Sequence, residues 1–208
     1  MSENQLYNDP IVFIIDDDDE VREAIALLME SVGLASESYS SAEIFSDNFN
    51  LDRPGCIILD IRMKGMSGLM LQEHLANQEI HPPIIFITGH GDVPMAVKAI
   101  KAGAIDFIQK PFNDQVLLES VYRAIEVDEK QRGKAQKHAE IREKLARLTP
   151  REHEVLDLVV KGHRNKIIAD KLHISQSTVE VHRSRVMEKM EANSLSDLMR
   201  MVLTISDD

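Results

Sequence analysis

Three stretches of the chain are apolar at nearly every position: Ile11 to Ile15, Cys56-Ile57-Ile58-Leu59 after Gly55, and Ile84-Ile85-Phe86-Ile87. Runs this short and this uninterrupted, bounded by turn residues, mark strands covered on both faces, as in the middle of a parallel sheet. A shorter run, Asp106-Phe107-Ile108-Gln109, and a weaker one, Ser36 to Tyr39, bring the count of strands to five. Between them the apolar residues take up helical spacing, over Val21 to Val32, Ala42 to Phe49, Gly68 to Asn77, Val93 to Ala102, and from Asp114 onward. Ser40 with Glu43 reads as a capping box, and Asp92 with Pro94 as another helix start. Strands and helices alternating in this way predict an α/β fold, a doubly wound five-stranded parallel sheet.

The pattern then changes. From Asp114 to Leu148 there is no proline and the only glycine is Gly133. Leu117, Leu118, Val121 and Ile125 give the last helix of the sheet domain its apolar stripe. Residues 126–146 are mostly Glu, Lys, Arg, Gln and Ala, which favours a long solvated helix with Gly133 as its weakest point. The apolar spacing of Ile141, Leu145 and Leu148 is too brief to decide whether this helix pairs with a second copy. Thr149-Pro150-Arg151-Glu152 opens a new helix with a capping box and a proline at its first position. Helical patterns follow from Arg151 to Lys161, Asn165 to Leu172, Gln176 to Glu191 and Ser194 to Thr204. His173-Ile174-Ser175 makes so tight a turn between the second and third that an all-α four-helix helix-turn-helix domain is expected. The expected layout is an N-terminal extension (1–10), a sheet domain (11–124), a helical linker (125–147) and a second domain (148–208).

Composition sharpens this. The 208 residues are 43% hydrophobic, enough for two modest cores. The net charge of −11 is unevenly spread: residues 1–124 carry 20 acids against 8 bases, residues 125–208 carry 15 against 16. A half that keeps most of the bases suits a nucleic-acid contact. No signal-like N-terminus and no apolar run near the ~20 residues of a bilayer span is present, so a cytoplasmic protein without membrane contact is expected. The single Cys56 lies inside a buried strand and needs no redox role.

Ligands gather at the carboxyl edge of such sheets. Strands one, three, four and five placed side by side bring Asp16, Asp17, Asp60, Thr88 and Lys110 to that edge. Three carboxylates in one pocket repel unless a cation or protons neutralise them, and an oxygen-only ligand set favours Mg²⁺. A carboxylate beside the metal can accept a phosphoryl group, with Lys110 neutralising its oxygens and the Thr88 hydroxyl bonding one of them. Singly, each residue has a plainer role as a helix cap, loop hydroxyl or surface charge; together, on these strands, they form a constellation.

On these residues, Ile15-Asp16-Asp17, Leu59-Asp60, Thr88-Gly89 and Lys110-Pro111-Phe112, residues 11–124 resemble a response-regulator receiver domain, with the flavodoxin-like fold. The resemblance implies phosphorylation of Asp60 by a cognate sensor histidine kinase. It implies a Mg²⁺ held by Asp60, directly by Asp17, mainly through water by Asp16, and by the backbone carbonyl of Arg62. Thr88 would bind the phosphoryl group, Lys110 would pair with it, and Phe107 would be the aromatic switch that moves inward. At most the domain would catalyse its own phosphorylation and dephosphorylation. Two features depart from the simple pattern. Four consecutive acids, Asp16 to Asp19, leave the register of the acidic pair open by one residue, and Lys64 stands where the family usually has a proline.

In the second half, Val179, Val186 and Met190 of the third helix fall on one face and Glu180, Arg183, Ser184 and Met187 on the other, flanked by Arg185 and Lys189. A solvated face would look similar. Asn165-Lys166-Ile167-Ile168-Ala169, Ile174-Ser175 and Ser177-Thr178-Val179-Glu180-Val181-His182, however, resemble the LuxR-type DNA-binding domain of the NarL/FixJ family. That resemblance puts the third helix in the major groove of promoter DNA, with Glu180, Val181, Arg183 and Ser184 toward base edges and Lys166, Thr178, Arg185 and Lys189 toward phosphates. It implies a transcription factor that dimerises on phosphorylation and acts on RNA polymerase. The two other readings are a Mg²⁺-dependent phosphotransfer or phosphatase enzyme, and an interaction or DNA-binding protein that works without phosphate. The former leaves the helix-turn-helix unexplained and lacks a glycine-rich nucleotide loop.

Overall fold

A computed structural model describes residues 9–50, 53–77, 82–89 and 93–206. The chain divides into two compact units, the first running through Gly133 and the second beginning at Lys134. The first unit contains β1 (Ile11–Ile15), α1 (Asp19–Ser31), β2 (Ala35–Tyr39), α2 (Ala42–Asn48), β3 (Gly55–Asp60), α3 (Gly68–Leu75), β4 (Ile84–Thr88), α4 (Val93–Lys101) and β5 (Asp106–Gln109). Helix α5 (Asp114–Ala146) passes from the first unit into the second without a break at Gly133. The second unit adds α6 (Pro150–Val160), α7 (Asn165–Leu172), α8 (Gln176–Lys189) and α9 (Leu195–Ser206). Among the described residues no helix is long and apolar enough to cross a membrane.

The five strands are parallel in the order β2-β1-β3-β4-β5, the expected doubly wound sheet. Successive side chains of a strand point to opposite faces, and here both faces are covered. Ile11, Phe13, Ile15, Ile57, Leu59, Ile84 and Phe86 pack with Phe45 of α2, Leu71 and Leu75 of α3 and Ala99 of α4. Val12, Ile14, Cys56, Ile58, Ile85 and Ile87 pack with Ile25 and Met29 of α1 and Leu117, Val121 and Ala124 of α5. Burial holds the Cys56 thiol far above its usual range, with the charge of Asp128 adding to the effect.

One helix start differs from expectation. The cap of α2 is Ser41, whose hydroxyl accepts from Ile44 N–H, rather than Ser40; Glu43 is used elsewhere. The expected cap Asp92 lies outside the described residues.

Asp128, in the stretch expected to be a solvated connector, is only 1% exposed. Its Oδ2 accepts from the Gly55 N–H at 2.8 Å and from Arg132 Nε at 2.8 Å, while Arg132 Nη2 donates to the Arg53 carbonyl at 2.7 Å. Residues 128–132 of α5 are therefore built into the sheet unit at the start of β3. Gly55 itself has φ +142, and a Cβ there would collide with the Ile11 backbone carbonyl. Only glycine fits that backbone.

The second unit has its own core, in which Val155, Leu156 and Val159 of α6, Ile168 and Ala169 of α7, Val179 and Val186 of α8 with its capping Met190, and Leu198 of α9 are buried. Ile141 and Leu145, from the end of α5, pack against it. Helix α6 has the expected capping box, with Thr149 and Glu152 bonding each other's backbone N–H and Pro150 in the first turn. The α7–α8 turn is set by His173 in the left-handed region (φ 53) and by Ser175, whose Oγ accepts from Thr178 N–H at 3.1 Å. Helix α8 ends at Lys189, two residues earlier than expected, because Glu191 turns left-handed (φ 53).

Gly55→Ala, which forces a Cβ into the β1 backbone, is expected to cost about 3 kcal/mol or more in urea-unfolding experiments. A variant as stable as the wild type would show that the strand start is not confined as described.

Candidate functional site

The pairing register carries the site. Ile15 lies opposite Leu59 and Thr88 opposite Gln109, so Asp16, Asp60 and Lys110 leave the sheet at one edge. Asp16 and Asp60 are 1% and 5% exposed, while Asp17 is open to solvent. One carboxylate oxygen from each of Asp16, Asp17 and Asp60 lies within 4.8 Å of the others. Lys110 Nζ reaches Asp16 Oδ2 at 2.5 Å and Asp60 Oδ1 at 3.1 Å, bridging the two buried acids. The buried Thr88 closes the end of β4, its carbonyl accepting from Lys110 N–H at 2.8 Å. Phe107 is partly buried against the core face shared by α2, α3 and α4, and pairs in register with Phe86.

The four-acid run resolves into three jobs. Asp16 and Asp17 face the pocket. Asp16 Oδ1 also accepts from Asp18 N–H at 3.0 Å, Asp18 caps α1 by accepting from Glu20 N–H, and Asp19 forms an ion pair with Arg22. Arg22 in turn donates to the Asp16 carbonyl at 2.6 Å. The arginine was not singled out in the sequence; its i,i+3 spacing from Asp19 was the one available signal.

Electrostatics follow from burial. Desolvation pushes the Asp60 carboxyl above its usual range against the pull of the Lys110 ammonium, and the Asp16 charge adds to the rise. Burial would lower the Lys110 pKa, but its bond to Asp16 and the charges of Asp16 and Asp60 outweigh that and hold it raised. The pocket is thus a set of anionic oxygens with one fixed cation, and the converging carboxylates are the hard-oxygen set that suits Mg²⁺.

The loop after β3 is pinned at three points. Arg62 N–H donates to Asp60 Oδ2 at 2.8 Å, Gly68 N–H to the Ile61 carbonyl at 3.1 Å, and Met66 N–H to Glu43 Oε1 at 2.6 Å. The bond from Met66 is the main reason the exposed Glu43 carboxyl titrates below its ordinary value.

Residues 12–122 match the response regulator receiver domain family, and residues 146–202 match the bacterial regulatory proteins of the luxR family. The chain belongs to the response-regulator family. It is a regulator with a receiver domain and a LuxR-type DNA-binding domain. The response regulator protein TodT of Pseudomonas putida is 45% identical over 197 residues, 95% of this chain and 87% of that protein. The transcriptional regulatory protein FixJ of Rhizobium meliloti is 46% identical over 195 residues, 94% and 96% of the two chains. Among solved structures, the response regulator StyR is 40% identical with a TM-score of 0.84, covering 94% of this chain and 98% of that one. Full-length FixJ from B. japonicum is 35% identical with a TM-score of 0.55, covering 97% and 99%.

In the regulator's second unit, α8 leaves Thr178, Glu180, Val181 (49% exposed), Ser184 and Arg185 on its outer surface, with Lys166 exposed on α7. Arg183 is half-buried; its Nη1 donates to Asn165 Oδ1 at 3.2 Å, and Asn165 Nδ2 reaches Glu180 Oε1 at 3.5 Å, so one amide links two of the expected base-reading residues. The Thr178 hydroxyl shares a hydrogen bond with Ser175 Oγ at 2.8 Å. Two placements correct the helical-wheel expectation. Met187 is partly buried against the core instead of standing on the outer face. Lys189 is tied inside the domain, its Nζ 2.7 Å from Glu152 Oε2 and 3.1 Å from the Arg147 carbonyl.

Glu152 is 2% exposed, and Lys189 together with the Thr149 N–H holds its carboxyl down to about 2 from an ordinary 4.5. A depressed carboxyl stabilises the fold above its unfolded pKa and loses that contribution as pH falls toward the folded value. Glu152→Ala is expected to destabilise the chain by about 2 kcal/mol at pH 7, by loss of the cap and of a charge-assisted bond. Denaturant unfolding should show the gap from wild type narrowing as pH drops from 4.5 toward 2; a gap that stays constant would contradict the assignment.

Proposed function

We propose that Asp60 is the phosphoacceptor of a two-component transcription factor, taking its phosphoryl group from a sensor histidine kinase. The observation that carries this reading is the Lys110 ammonium bridging Asp16 and Asp60 at the mouth of a buried pocket of oxygens. An Asp60 oxygen attacks the phosphorus of the donor, the bond from phosphorus to the donor's imidazole nitrogen breaks, and an acyl phosphate forms. Burial favours the attack by leaving the carboxylate poorly hydrated. Mg²⁺, held directly by Asp60 and Asp17, through water by Asp16, and by the Arg62 carbonyl, would neutralise the anionic oxygens of donor and acceptor. Lys110 then transfers its contact from the Asp60 carboxylate to the phosphoryl oxygens, and the Thr88 hydroxyl bonds another. Water attack on the same phosphorus returns Asp60 to its free form.

The new charge favours an arrangement of Thr88, Phe107 and the β4–α4 region different from that of the free acid. The face that changes carries an apolar stripe, Val93, Val97 and Ile100, exposed along α4 at helical spacing. Covering it in a homodimer would link phosphorylation to occupancy of paired DNA half-sites. On DNA, Glu180, Val181, Arg183 and Ser184 face base edges, and Lys166, Arg185 and Thr178 face phosphates, leaving Lys189 its structural role. RNA polymerase at the same promoter is the partner through which such binding would act.

Sedimentation with Mg²⁺ and a small-molecule phosphodonor should double the mass of the wild type and leave Asp60→Asn unchanged. A wild-type mass that does not respond would sink the switch. Lys166→Ala should weaken binding across different DNA sequences alike and reduce the steepness of the salt dependence by about one phosphate contact. Loss confined to one sequence would instead make it a base reader.

A further inference from the structure

We infer that Glu43 is a positioning residue for the cation site, acting through the backbone of the loop after β3. The inference rests on the reading that the Arg62 carbonyl is a metal ligand, and deepens it. That carbonyl sits in a seven-residue loop, 61–67, that contains no proline, so its path is not restricted covalently. The start of the loop is held by Asp60 through Arg62 N–H and by α3 through Gly68 N–H. The far end is held from outside, by Glu43 on α2, whose Oε1 accepts the Met66 N–H at 2.6 Å.

The fit is close. Gly65 is left-handed (φ +82), and a Cβ at that position would strike Glu43 Oε1 first. The carboxylate therefore lies flat against the turn. Its own base is fixed, since the Ser41 hydroxyl caps α2 and the flanking Ala42 and Phe45 are fully buried in the sheet core. Glu43 is not one of the three acids whose oxygens converge on the pocket. Its effect on the cation is on where the Arg62 carbonyl points, in the way that outer partners orient metal ligands.

Calorimetric titration of the full chain with MgCl₂ tests this. Glu43→Ala is expected to raise the Mg²⁺ dissociation constant about tenfold. Glu43→Gln, whose amide oxygen can accept the same N–H, should bind close to wild type, and the thermal midpoints of all three without Mg²⁺ should agree. Equal binding by wild type and Glu43→Ala overturns the role, as does equal weakening by both variants, which would make the charge and not the bond responsible. If the wild type itself takes no Mg²⁺, the metal reading falls. Amide hydrogen exchange in the cation-free protein then decides positioning separately: a Met66 N–H protected in wild type and Glu43→Gln but not in Glu43→Ala supports it, and equal protection in all three refutes it.

Discussion

Three carboxylates at one rim of a sheet, two of them nearly sealed from water, can be held together only if positive charge stands among them, and Lys110 provides it from the end of the fifth strand. Much of the first unit follows from that requirement. β1, β3 and β5 must end level, which the parallel register ensures. The sheet must be covered on both faces, because a half-solvated sheet would leave the acids hydrated and weaken every charge interaction in the pocket. The residues just outside the pocket must fix backbone as well as side chains, which Arg22 does for Asp16 and Glu43 does for the loop after Asp60. The lysine bridge offsets one of the three carboxylate charges and leaves the pocket net anionic, which suits a hard divalent cation.

The parts of this that were legible in the sequence are those with a local physical signature. Strands β1, β3 and β4 could be read because residues buried on both faces leave an unbroken apolar run, and that run, by ending at Ile15, also placed Asp16 and Asp17 in the pocket ahead of Asp18 and Asp19. The capping box at Thr149 and the tight turn at His173-Ile174-Ser175 are local too. What escaped were tertiary contacts with no sequence spacing: Glu43 to Met66, Asp128 to Gly55, Lys189 to Glu152. Ser40 and Ser41 are chemically equivalent as caps, and only the path of the backbone out of β2 selects the second. Met187 was assigned by an ideal helical wheel, whereas α8 is flanked by both α6 and α9 and buries a wider sector than the wheel allowed.

Helix α8 is an unusual support for its own position. It buries Val179 and Val186 along its 14 residues, with Met187 partly buried against the same core. Its ends are anchored as well as its inner face: Ser175 at the entrance, the buried Met190 at the exit, and the Lys189 bond to the sealed carboxylate of Glu152. With the inner face and both ends so held, the outer surface is left for other contacts, and there Asn165 links Glu180 and Arg183.

The lone thiol of the chain sits in the middle strand, packed on both sides and kept protonated by its surroundings and by the nearby Asp128 carboxylate. Sulfhydryl reagents attack the thiolate and need access. Cys56 is consequently silent toward them while the sheet is closed and becomes reactive only when the strands part. Nature has left in this protein a single internal reporter whose labelling rate counts the openings of the receiver's core.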